Sequence, residues 1–107
     1  MNQPNTLTEA TQDKALALVA AWLGPRMGHN GPAPTGEDAA YNATGPMLVR
    51  EWSAGSVEDA PTIILEGGPF EWGIEASLDT TLVADLAKIG VFAEPYYSFT
   101  LCLFPRD

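Results

Sequence analysis

Apolar and polar side chains alternate along residues 70–77, where Phe, Trp, Ile and Ala are separated by Glu, Gly, Glu and Ser. Alternation with a period of two predicts a strand with one buried face and one face in water. The preceding residues 62–65 form a compact apolar run, and Glu-Gly-Gly-Pro between the two runs is a turn signal. Together these segments predict a β-hairpin with an acidic outer face.

Two other strands are predicted in the second half of the chain. Residues 47–53 form strand one, residues 54–60 turn the chain, and residues 61–66 form strand two, because Pro61 is tolerated at the first position of a strand. Residues 70–77 are then strand three. Residues 97–104 are apolar on both faces, which is typical of a central strand.

A helix separates strand three from the final strand. It begins at Asp79 or Ser77 as the N-cap and ends at Gly90, with Val91 packing back in a Schellman-type cap. Apolar side chains recur along it at helical spacing at Leu82, Leu86 and Ile89.

The N-terminal part of the chain predicts one more helix. Thr6, Leu7, Thr8 and Glu9 fit a capping box, and the apolar pattern runs to Leu23 before a Gly-Pro stop at 24–25. The helix is apolar on two sides, so both sides are expected to be covered. Either the rest of the chain wraps around it, or a second subunit or partner covers the side of Trp22.

Residues 24–46 contain five Gly and four Pro with no periodicity, which predicts a long, mobile or loosely ordered loop. Residues 1–6 are expected to be a disordered tail. The sequence thus predicts a single α+β domain with a compact unit at 47–105. Its four-stranded, mostly antiparallel sheet and two helices follow the order α-β-β-β-α-β, with both helices on the same face.

Charge restricts the partners of this domain. Fourteen Asp and Glu stand against five Lys and Arg, a formal net charge of −9. Such a surface repels nucleic-acid phosphates and anionic membranes, so neither is expected as a direct partner, and it favours a basic protein. The N-terminus lacks a basic region followed by an apolar region, and a single cysteine excludes an internal disulfide. A cytoplasmic protein is therefore expected.

Candidate catalytic and metal-binding groups are few. Cys102 and His29 are the single cysteine and histidine, and a buried structural cysteine is far commoner than a Cys–His dyad. Zinc needs about four such ligands. The Gly-Gly turn lacks the lysine of a phosphate-binding loop. We therefore expect no enzyme, no metal and no cofactor.

The leading functional hypothesis is an acidic, non-enzymatic module that binds a protein. The acids on the hairpin and the aromatic residues near Arg50 are its predicted contacts, since aromatic side chains and Arg dominate interface energetics. The predicted partner-binding residues are Arg50, Trp52, Glu66, Glu71, Glu75 and Tyr96. The alternatives are a small-ligand-binding domain or minor enzyme with its site under the 24–46 loop, and self-association into a homo-oligomer through the Trp22 side of helix one.

Two segments carry a family resemblance. Leu-Glu-Gly-Gly-Pro-Phe-Glu-Trp at 65–72 and Val-Phe-Ala-Glu-Pro-Tyr at 91–96 resemble segments of small proteins, with no assigned activity, from actinobacteria and their phages. The resemblance covers residues 47–105. It implies a small, phage-encoded accessory protein, and it assigns no functional residue. With that context, the leading hypothesis becomes a phage-encoded protein that binds and modulates a host protein.

Overall fold

The computed structural model describes residues 7–42, 44–54, 57–65, 72–96 and 99–106. These residues contain four helices and four strands in the order α-α-β-β-α-α-β-β. The elements are α1 (Glu9–Arg26), α2 (Glu37–Tyr41), β1 (Met47–Ala54), β2 (Val57–Ile64), α3 (Trp72–Leu78), α4 (Thr80–Lys88), β3 (Val91–Pro95) and β4 (Thr100–Pro105).

All strand pairs are antiparallel, and the strands lie in the order β1-β2-β4-β3. The α+β class and the four-stranded sheet predicted from the sequence are therefore confirmed. The predicted number of helices and the order α-β-β-β-α-β are wrong, because the described residues contain two more helices and a strand at a different place. The predicted tail at 1–6 lies outside the described residues.

Residues 72–78 form helix α3, so the prediction of a strand over 70–77 is wrong. Trp72 and Ala76 are buried, Ile74 is half-buried and Glu75 is exposed. Trp72 and Ala76 are four residues apart, so they share a helix face as well as a strand face. The short alternating run fits both periods, and packing against the core selects the helix. Residues 66–71, which include the predicted turn, lie outside the described residues.

Strand β3 was missed by the sequence pattern. Val91 begins this strand, and the preceding helix is capped by Asp79 and ends before Gly90 as predicted. The final strand β4 begins at Thr100, three residues after its predicted start. Strand β2 begins at Val57, inside the predicted turn, so β1 and β2 form the hairpin of the sheet.

Helix α1 continues beyond its predicted stop. Thr8 caps its first turn by accepting a hydrogen bond from the Thr11 backbone N–H at 3.1 Å. Pro25 lies inside the last turn, which extends to Arg26. Gly24 permits a close backbone contact, because a Cβ at this position would lie 1.9 Å from the Gly31 carbonyl oxygen.

The segment predicted as a long loop contains helix α2 and is tied to its surroundings by backbone hydrogen bonds. The Ala33 N–H donates to the Ala20 carbonyl at 2.9 Å, and the Gly36 N–H donates to the Pro46 carbonyl at 3.0 Å. These bonds hold the segment against the end of α1 and the start of β1.

The hydrophobic core lies between the helices and one face of the sheet. We call this the core face; its strand residues are Leu48, Ile63, Leu101, Leu103, Val91 and Ala93. They pack against buried residues of α1, α3 and α4, which include Val19, Leu23, Ala76, Leu82 and Leu86. Helices α1, α3 and α4 therefore cover the same face of the sheet.

Candidate interaction surface

The opposite side of the sheet presents apolar side chains that are not part of this core. We call it the outer face; its residues are Met47, Val49, Thr62, Ile64, Phe92, Glu94, Thr100, Cys102 and Phe104. Side chains at alternate positions of a strand point to opposite faces, and residues paired across strands share a face. Its central Thr62, Thr100 and Cys102 are buried, whereas its margin is half-exposed or exposed.

Two phenylalanines form the most exposed apolar feature of the outer face. Phe92 of edge strand β3 pairs directly with Phe104 of β4, and their ring centroids lie 6.4 Å apart at an interplanar angle of 35°. Phe92 is 44% exposed, and Phe104 is half-buried. The exposed Glu94 follows on the same face of β3. An aromatic pair beside a carboxylate is suited to contact a basic, partly apolar protein surface.

The thiol of Cys102 belongs to the outer face and is buried, as expected for a cysteine with a structural role. The Thr62 hydroxyl donates to the Ala60 carbonyl oxygen at 3.0 Å, and its oxygen lies within weak hydrogen-bonding distance of Cys102 Sγ, at 3.7 Å. Desolvation raises the pKa of the Cys102 thiol, the Thr62 hydrogen bond opposes this shift, and the charge of Glu94 adds to it. The raised pKa keeps the sulfur protonated. His29 is exposed in the segment that follows α1.

A polar cluster joins the end of α1 to the start of α4. The Arg26 guanidinium lies 4.1 Å above the Trp22 ring, donates to the Trp22 carbonyl at 2.7 Å and contacts Asp79 Oδ2 at 3.0 Å. Trp22 also meets Trp72 edge-to-face, with centroids 6.2 Å apart. The second apolar side of α1 therefore packs against α3 of the same chain.

Asp79 is the acidic member of this cluster. Its carboxylate accepts the Leu82 backbone N–H at 3.0 Å as the N-cap of α4. This bond contributes most to lowering the pKa of Asp79, and the nearby Trp22 indole and Arg26 charge lower it further. The buried Trp22 Nε1 lies near enough to favour the carboxylate but does not complete a hydrogen bond of good geometry. The cluster joins two helices.

Arg50, predicted to contact a partner, is bonded to side chains of α1. It donates to Gln12 Oε1 at 2.9 Å and to Asp13 Oδ1 at 2.8 Å, and its Nε lies 3.7 Å from Glu9 Oε1. Arg50 thus fastens β1 to α1.

The other predicted contacts lie on different elements or outside the described residues. Glu75 is exposed on helix α3, and Tyr96 is half-buried directly after β3. The backbone of Trp52 pairs with Ala60, and its side chain lies outside the described part. Glu66 and Glu71 also lie outside the described residues. The hairpin on which this grouping rested is replaced by α3.

A small apolar depression lies beside the edge strand β3. It has a volume of about 80 Å³ and is lined by Ala76, Ser77, Val83, Leu86, Val91, Phe92, Ala93 and Arg106. Val83 is half-exposed at its margin. Phe92, Val83 and Arg106 were not among the site residues predicted from the sequence. The alternation of Val91, Phe92, Ala93 and Glu94 is the signal that could have placed Phe92 on an exposed strand face.

Comparison with protein-family models, curated proteins and solved structures gave no match. Within the described residues, no helix has the length and apolar character needed to cross a membrane. No group of three or more His, Cys, Asp or Glu in this part of the chain is arranged to hold a metal ion.

Proposed function

We propose that this protein is an acidic, non-enzymatic module that binds a basic protein surface through its outer face. The observation that carries the proposal is the Phe92–Phe104 pair, with Phe92 exposed, beside Glu94 on the side of the sheet opposite α1, α3 and α4. Exposed aromatic side chains supply large contact area, and a neighbouring carboxylate favours a cationic partner.

The distribution of charge supports a basic partner. Of the five Lys and Arg in the chain, Arg26, Arg50 and Lys88 already pair with carboxylates of the same chain. Within the described residues, three of the five cations are thus already paired, against a formal net charge of −9. A uniformly acidic surface accelerates encounter with a basic protein and disfavours acidic competitors. Given the resemblance to small phage and actinobacterial proteins, a bacterial host protein is the partner class we propose.

The small-ligand alternative draws no support from the packing of segment 27–46. A Cβ at Gly45 would lie 1.7 Å from the Pro34 carbonyl oxygen, and one at Gly24 would lie 1.9 Å from that of Gly31. At these two positions backbone lies directly against backbone and leaves no room for a side chain.

Affinity capture with matched variants tests the proposal. The wild-type protein, Phe92→Ser and Glu94→Lys are used as baits in a lysate of an actinobacterium, the host class that the resemblance implies. Leu78→Ser is the control, because Leu78 is 72% exposed but lies at the end of α3. We expect Phe92→Ser to reduce recovery of the partner about tenfold, the loss typical of an interface anchor. Glu94→Lys should reduce the salt sensitivity of capture.

Equal recovery with all four baits would contradict the assignment to the outer face. Loss of recovery with Leu78→Ser alone would place the contact on the helical side. Circular dichroism of each bait establishes that a loss of capture does not come from unfolding.

A further inference from the structure

Strand β3 presents hydrogen-bonding groups at an edge of the sheet. The Arg106 N–H donates to the Gly90 carbonyl at 2.9 Å, which sets the phase of the β3–β4 ladder. In that phase the backbone groups of Phe92 and Glu94 face β4, and those of Val91 and Ala93 point away from it. In the described part of the chain, no strand lies on that side of β3. An extended peptide can therefore add to this edge.

The depression beside β3 is suited to a side chain of such a peptide. Its lining is mostly apolar and comes from α3, α4, residues 91–93 of β3 and Arg106, which follows β4. Its volume of about 80 Å³ is far below the roughly 300–1,000 Å³ of small-molecule pockets. It has room for one aliphatic side chain but not for a cofactor.

Arg106 places a positive charge at one end of the depression, which distinguishes the two directions in which a peptide strand could bind. Its guanidinium forms no ion pair with any described carboxylate, and Arg106 lines the depression at the Val91 end of β3. A strand added antiparallel to β3 ends beside Val91. Its terminal carboxylate would then lie next to Arg106, where a charge-assisted hydrogen bond is available.

We propose that the β3 edge and its depression bind the C-terminal segment of a partner protein as an added antiparallel strand. The inference rests on the proposed function, because it names the part of the partner that binds. The last residue lies opposite Val91, where the Val91 N–H and the Arg106 guanidinium hold its carboxylate. The third residue from the end lies opposite Ala93 and exchanges backbone hydrogen bonds with it.

The register also determines the residue types that the groove favours. Residues opposite Val91 and Ala93 lie on the same side of the added strand as the depression, which admits one of their side chains, so both are small and aliphatic. The penultimate residue lies beside Phe92 on the outer face and is aromatic, and the fourth from the end lies beside Glu94 and is basic. From the fourth-last residue to the last, the favoured C-terminus is therefore Lys or Arg, an aliphatic residue, an aromatic residue and an aliphatic residue that carries the free carboxylate.

A second copy of this chain fits the edge less well. Two chains with a net charge of −9 each repel one another. In a symmetric β3–β3 pairing centred on Ala93, Pro95 would lie opposite Val91 and offer no N–H to its carbonyl.

Peptide binding tests this inference directly. The probe is acetyl-Lys-Val-Phe-Val with a free carboxylate, and its C-terminal amide is the matched control. Binding is measured by calorimetry to the full-length wild-type protein and to Arg106→Glu. Lys88→Glu reverses one charge at an exposed cation outside the depression and controls for net charge. We expect the free acid to bind about tenfold or more tightly than the amide. Arg106→Glu should remove that preference, and Lys88→Glu should retain it.

Amide hydrogen exchange provides the second readout. The free-acid peptide should slow exchange at Val91 and Ala93 while leaving Phe92 and Glu94 unchanged, since only the outward amides gain partners. Equal affinity for acid and amide, absence of binding at millimolar peptide, or unchanged exchange at Val91 and Ala93 would overturn the inference. Those outcomes leave the proposed function intact if capture still depends on Phe92. If the peptide binds the β3 edge but capture of the partner does not depend on Phe92, the assignment of the outer face as the partner-binding surface would be rejected instead.

Discussion

At the scale of single residues, Trp72 joins α3 to α1. It is buried, and its ring meets Trp22 edge-to-face. Trp72→Ala should therefore lower the free energy of unfolding by about 3–5 kcal/mol, the range for large aromatic truncations in a core. Glu75→Ala, three residues on and exposed, should change it by less than about 0.5 kcal/mol. Urea unfolding measures both, and similar effects from the two substitutions would refute the orientation of α3.

The lowered pKa of Asp79 predicts that the stability of the fold depends on pH. Hydrogen bonding to the Leu82 N–H, followed by Trp22 and Arg26, lowers its pKa in the folded state. A carboxyl group whose pKa is lower in the folded state than in the unfolded state stabilises the fold at pH values above its unfolded pKa, about 4. That stabilisation is lost as the pH falls through the pKa of the folded state. Asp79→Asn keeps an N-cap oxygen but removes the charge.

The wild type should therefore melt at a higher temperature than Asp79→Asn at neutral pH. The two melting temperatures should converge as the pH falls through the lowered pKa of Asp79. A difference that stays constant from neutral to strongly acidic pH would show that the charge of Asp79 does not contribute.

At the scale of elements, helix α3 shows where sequence patterning fails. Trp72 and Ala76 are compatible with both a strand face and a helix face, and the run is too short to separate the two periods. By contrast, α4 is fixed by local chemistry that the sequence displays: an Asp N-cap, apolar residues at helical spacing and Gly90 at φ 77°. Local capping signals were therefore sufficient for α4, and tertiary packing was needed for α3.

Backbone NMR distinguishes the helix observed at residues 73–77 from the strand that the sequence pattern predicts there. The helix predicts downfield Cα shifts and strong sequential amide–amide contacts along this segment. A strand would give upfield Cα shifts and strong contacts between each Hα and the next amide. Strand-type values at Ile74 and Glu75 would contradict the fold described above.

The packing of segment 27–46 makes a prediction of its own. Gly45→Ala would place a Cβ 1.7 Å from the Pro34 carbonyl oxygen, so backbone must move. We expect a loss of about 1–3 kcal/mol in the free energy of unfolding, as for other overpacked sites. Gly31→Ala is the matched control, because a Cβ there meets nothing within 4 Å. Equal stability of the two variants would show that the segment is not packed at Gly45.

At the scale of the whole molecule, the sequence predicts the class of fold better than the location of a site. Charge and apolar patterning indicated an acidic α+β domain. The contacts of Arg50 with Gln12 and Asp13 link residues more than thirty positions apart, and no local pattern reveals them. The outer face likewise exists only once the order β1-β2-β4-β3 brings Phe92 beside Phe104.

Site-specific photocrosslinking tests the central claim most directly, namely that the outer face around Phe92 is the partner-binding surface. Benzoylphenylalanine replaces Phe92 in one protein and Leu78 in another, since both side chains are exposed but lie on different sides of the molecule. After irradiation in lysate, the protein labelled at 92 should form a discrete adduct with a basic protein, and the protein labelled at 78 should not. An adduct from position 78 with none from position 92 would contradict the account.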